Sequence, residues 1–78
     1  MPDLKYRELL NLLLYFGSEL KGEGSPALRV RNREGKWVSV HCHKTEGLWR
    51  EKLVPTLRNL GVSRDDFGEW WNSGRKPG

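Results

Sequence analysis

The chain has 78 residues, 36% of them hydrophobic and 31% charged, with a formal charge of +4. That length allows one domain with a small core, and that composition excludes disorder except at the ends. No apolar run approaches a membrane span, and the single cysteine, Cys42, excludes an intrachain disulfide, so a cytoplasmic protein without signal peptide or anchor is the simplest expectation.

The first predicted element is a helix of three to four turns. Tyr6, Leu9, Leu10, Leu13 and Phe16 recur at helical spacing, with Asp3 as the expected N-cap and Gly17 as the stop. A short strand is expected between Ser18 and Lys21. Lys21 to Ser25 is then a flexible turn; its glycines lack the Gly-Lys-Ser/Thr order of a phosphate-binding loop.

The central stretch from Gly24 to His43 reads as a β-hairpin. Leu28 and Val30 alternate with polar residues before a Gly-containing turn, and Val38 and Val40 do so after it. For all four to share the core face, Leu28 must pair with Val40 and Val30 with Val38. Asn32 then faces Lys36 across a loop of Arg33, Glu34 and Gly35, with glycine where such a loop needs a left-handed residue. The other face carries Ala27, Arg29, Arg31, Trp37, Ser39 and His41, and Ala27 lies directly across from His41. A face so polar is suited to be a working surface.

Lys44 to Gly47 connects to a second helix bearing Leu53, Leu57 and Leu60. Pro55 costs about 3 kcal/mol inside a helix, so the regular start is placed at Glu51 to Leu53, which keeps the proline in the first turn. Gly61 ends this helix. Ser63 with Asp66 forms a capping-box pattern for a third helix, Val62 and Phe67 stand at the staple positions, and Phe67, Trp70 and Trp71 make an apolar face that packs on the domain itself. Residues 1–72 form one domain and 73–78 a basic, flexible tail. The expected fold is α+β in two layers, a small antiparallel sheet with its helices on one face.

The charge is uneven. Between Lys21 and Arg64, ten lysines and arginines stand against four glutamates, an excess of six, while the flanks carry a net −2. A polyanionic partner suits this distribution, as does a plain solvated basic surface. His41-Cys42-His43 invites a metal, but structural zinc needs four ligands and catalytic zinc three, and Cys42 points to the opposite face, so neither metal nor cofactor is expected. Ser25 and Ser39 near His41 lack an orienting acid for nucleophilic catalysis. RNA is the better match: Arg29, Arg31, Lys36 and Lys44 suit phosphates, Trp37 a stacked base, and the histidines proton transfer.

Gly24-Ser25, the strand and Gly turn, Val38-Ser39-Val40, His43 and the run Leu57-Arg58-Asn59-Leu60-Gly61-Val62, in this order and spacing, resemble HicA, the toxin of HicA–HicB toxin–antitoxin pairs. The resemblance covers residues 4 to 71. It implies a fold similar to the double-stranded-RNA-binding domain, metal-independent endoribonuclease activity on mRNA, and a HicB-like antitoxin partner. On that reading the RNA-binding residues are Lys21, Ser25, Arg29, Arg31, Lys36, Trp37, His41, His43 and Lys44. An acidic antitoxin surface would cover Ala27 and its sheet face. The departure is at position 27, where the family carries its catalytic histidine and this chain has alanine. A methyl group transfers no proton, so this chain is expected to be inactive. Either its lineage has lost activity or Ala27 is an introduced histidine-to-alanine change, and the intact remainder of the pattern favours the second. The alternative function is a non-catalytic RNA-binding module using the same face.

Overall fold

In the computed structural model, which describes residues 1–78, the alternation from Leu28 to Val40 becomes the centre of a three-stranded antiparallel sheet. The elements run α1 (Tyr6–Phe16), β1 (Glu19–Lys21), β2 (Ala27–Arg31), β3 (Trp37–His41), α2 (Arg50–Leu60) and α3 (Arg64–Asn72), with strand order β1-β2-β3. The hairpin register is the expected one: Ala27 pairs with His41, Leu28 with Val40, Arg29 with Ser39, Val30 with Val38 and Arg31 with Trp37. Gly35 closes the loop at φ 84°, and Asn32 donates its N–H to the Lys36 carbonyl at 2.7 Å. On the inner face Leu28, Val30 and Val40 are buried, and Val38 is half-buried against the same cluster. A one-residue slip of either strand would turn its apolar side chains to solvent, which is what holds the register.

A single cluster of 16 buried residues joins this face to all three helices. From α1 it takes Leu9, Leu12, Leu13 and Phe16, from α2 Leu53, Leu57 and Leu60, and from α3 Phe67 and Trp70. Leu12 extends the α1 stripe beyond the residues its spacing singled out. The end of α1 packs very closely on β2: a Cβ at Gly17 would collide with the Val30 side chain and lie 2.7 Å from the Leu13 carbonyl oxygen. Glycine is required there by space, since its φ of −93° suits any residue.

Three local expectations are corrected. The N-cap of α1 is Lys5, whose N–H is accepted by Glu8 Oε1 at 2.9 Å, and not Asp3. Leu4 and Leu48 exchange both backbone hydrogen bonds, 2.8 and 2.7 Å, and this bridge keeps the chain extended through residue 4. Asp3 is thereby carried to α2, where its Oδ1 accepts the Arg50 N–H at 2.8 Å. Helix α2 starts at Arg50, so Pro55 sits in its second turn. The Glu51 carbonyl that Pro55 leaves without a donor lies on an exposed stretch, where water satisfies it at lower cost than the interior would impose. At α3, Ser63 Oγ accepts the Asp66 N–H at 3.1 Å as expected, but the Asp66 carboxylate turns to Arg33 at 3.3 Å and does not complete a capping box.

Residues 73–76 are held against the helices. Trp70 Nε1 donates to the Lys76 carbonyl at 2.8 Å and Asn11 Nδ2 to the Arg75 carbonyl at 3.1 Å. The Arg75 guanidinium lies 3.8 Å from the Trp71 ring centroid and 3.2 Å from Glu8 Oε2. No helix is long and apolar enough to cross a membrane.

Candidate functional site

The outer face of the sheet carries no covering element. Its exposed side chains are Glu19 and Lys21 from β1, Ala27, Arg29 and Arg31 from β2, and Ser39 and His41 from β3, with Trp37 half-buried among them. Pairing arranges them in cross-strand rows: Glu19 beside Arg31 beside Trp37, Lys21 beside Arg29 beside Ser39, and Ala27 beside His41 at the end.

Trp37 is the centre of the charge. Lys21 Nζ lies 5.0 Å and Arg29 Cζ 5.3 Å from its ring centroid, both within cation–π range. Arg29 is the diagonal neighbour of Trp37 on the adjacent strand, and Lys21 reaches the ring from β1, two strands away, along its long side chain. Arg31 is drawn toward the hairpin loop, its Nε donating to the Gly35 carbonyl at 3.1 Å. None of the four ion pairs in the molecule includes Arg29 or Arg31. Lys21 has a weak partner in Glu19, 3.8 Å away and largely exposed, so the face keeps a net positive field.

The Ala27 end has a different chemistry. Because Asn32–Lys36 is a hydrogen-bonded pair and the Cys42 N–H reaches the Pro26 carbonyl at 2.9 Å, alternation makes Ala27–His41 a non-hydrogen-bonded pair, in which opposing side chains stand closest. Ser25 Oγ accepts the Ala27 N–H at 3.0 Å, so this hydroxyl is engaged in the turn and is not held by a histidine. His41 Nε2 and His43 Nε2 are 3.3 Å apart, and both rings are exposed. Between them Cys42 points inward and is 3% exposed. Burial pushes its thiol above the ordinary value and Glu46 adds to this, against a backbone hydrogen bond from Gly47 and the charge of Lys52. A thiol so held is a core group.

Two basic residues singled out with this surface lie away from it. Lys36 shares the parity of Val38 and Val40, opposite Asn32, whose side chain binds the loop amides of Glu34 and Lys36 and the Asn59 carbonyl. Lys44 extends over the Gly24 turn and borders a cleft of about 590 Å³ with Lys5, Tyr6, Arg7 and Glu23. The outer face therefore gathers Lys21, Arg29, Arg31, Trp37, His41 and His43 beside Ala27, with Ser25 at its corner. Sequence spacing missed the stacking of Lys21 and Arg29 on Trp37; the diagonal position of Arg29 in the hairpin register was an available signal, whereas Lys21 comes from β1, two strands away. Comparison with the known protein families, with curated proteins and with solved structures finds no match to this chain.

Proposed function

We propose that this protein is a HicA-like toxin in an inactive form, with a fold similar to the double-stranded-RNA-binding domain and an outer sheet face that receives mRNA in the cytoplasm. The observation that supports this reading is the Ala27–His41 pair standing at the end of a cationic face built from Lys21, Arg29, Arg31 and Trp37. Cations on such a face neutralise phosphates, and RNA supplies its own nucleophile, the 2′-hydroxyl. An imidazole at position 27 would take the 2′-hydroxyl proton as the oxygen attacks phosphorus, and a protonated neighbour would give a proton to the departing 5′-oxygen. That chemistry needs no metal. Alanine can perform neither transfer, so this chain binds RNA without cutting it. A HicB-like antitoxin would silence an active form by laying acidic residues against Arg29 and Arg31, with Lys36 and Lys44 at the margins.

The test is Ala27→His expressed in bacteria. Arrested growth with loss of mRNA, and RNA cleavage by the purified variant in the presence of a chelator, are the expected results. A folded Ala27→His variant with no effect on growth or RNA overturns the toxin reading. One observation favours a second reading in that event: the cation-flanked Trp37 needs nothing from position 27, which suits a non-catalytic RNA-binding module.

A further inference from the structure

From the geometry of His41 and His43 we infer that the two rings form a chelating pair for an exchangeable first-row transition-metal ion, taken through both Nε2 atoms. Two ligands each about 2.05 Å from a tetrahedral ion lie about 3.3 Å apart, and the two Nε2 atoms are 3.3 Å apart. The rings are nearly perpendicular, at 87°, with centroids 4.9 Å apart, so they converge at their edges and do not stack. The strand produces this: residues two apart on β3 and its continuation project to the same side.

The rest of the coordination sphere is open. Both rings are exposed, and His41 also borders a cleft of about 250 Å³ with Ser39, Glu51 and Thr56, which leaves room for water in the remaining positions. No third His, Cys, Asp or Glu completes a set. Two imidazoles and water hold an ion that comes and goes, unlike the closed four-ligand sites that contribute to folding. Neutral imidazole selects Ni²⁺, Cu²⁺ and Zn²⁺ over Mg²⁺ or Ca²⁺. This assignment is independent of the RNA reading.

The experiment is calorimetric titration of the intact protein with Ni²⁺, which leaves the Cys42 thiol unoxidised, alongside His41→Gln and His43→Gln. Thermal melts check that both exposed-site variants remain folded. One Ni²⁺ per chain is expected. Removing a mere hydrogen-bond partner of a ligand costs tenfold or more, so losing either ligand should weaken binding by at least about tenfold. Zn²⁺ should shift the Nε2 resonances of both rings, and Mg²⁺ neither. Absence of Ni²⁺ binding at millimolar concentration, a smaller loss in either variant, or Zn²⁺ shifts that spare one ring would each overturn the assignment and leave the 3.3 Å contact as a hydrogen bond only.

Discussion

The Asp3 carboxylate accepts the Arg50 backbone N–H at 2.8 Å, so a residue ahead of the first helix caps the second one, 47 positions away. It satisfies one of the four free amides of that helix and places a negative charge at the positive end of its dipole. Asp3→Ala should cost about 1 kcal/mol, which lowers Tm by about 4–8 °C in a domain of this size. Asp3→Asn should retain most of the capping. A melting curve unmoved by Asp3→Ala would remove this contact from the account of stability.

The hairpin parity makes neighbouring positions opposites. Leu28→Ala removes a fully buried side chain and should cost about 2–5 kcal/mol. Arg29→Ala, one residue on and exposed, should stay within about 0.5 kcal/mol. Urea unfolding measures both. Equal costs would contradict the register.

How much of this was legible in advance depends on the range of the interaction. Leu28, Val30, Val38 and Val40 encode their register because alternation leaves one pairing that buries all four, and Gly35 and Gly61 mark their turns by the angles they adopt. The caps of Ser63 and Asp3 form an instructive contrast. Ser63 binds an amide three residues on, within the reach of a local pattern. Asp3 serves α2 only because Leu4 and Leu48 pair first, and no local spacing announces a bridge across 44 residues. The Arg75–Glu8 ion pair is legible only once α1 and the end of α3 are neighbours. At the candidate site, the hairpin's share of the outer face, Ala27, Arg29, Arg31, Trp37, Ser39 and His41, followed from parity alone. The convergence of the His41 and His43 nitrogens and the stacking of cations on Trp37 depend on side-chain torsions that spacing does not specify.

Cys42 gives a pH signature. Its raised thiol value means that the folded chain keeps the proton after the unfolded chain has lost it. Stability therefore falls with rising pH once the unfolded thiol ionises, above about 8.5, and its contribution is complete below that point. Cys42→Ala carries a packing penalty at every pH but lacks this slope. Unfolding free energies of the two proteins should converge between pH 8 and pH 10, and parallel curves would show that Cys42 does not ionise on unfolding.

On the RNA reading, Trp37→Ala should weaken single-stranded RNA binding by about 1–3 kcal/mol, roughly five- to 150-fold. Arg29→Glu should weaken it as well and make the dependence on salt shallower, because fewer counterions are released. Lys36→Glu, on the other side of the strand, should matter less than Arg29→Glu. Fluorescence anisotropy across a salt series separates these outcomes, and affinity indifferent to salt and to all three substitutions would exclude this face.

Gly17 and Gly61 would look alike in any survey of tolerated substitutions, each refusing most replacements, yet they refuse for unrelated reasons. Gly61 has φ 73° and nothing within 4 Å of where a Cβ would lie, so it rejects by angle; asparagine, which accepts left-handed geometry, should be nearly silent there. Gly17 rejects by volume, and asparagine should be as damaging as alanine or worse. One asparagine substitution at each position, read by thermal melting, would distinguish a helix that ends on a bend from a helix that ends against a wall.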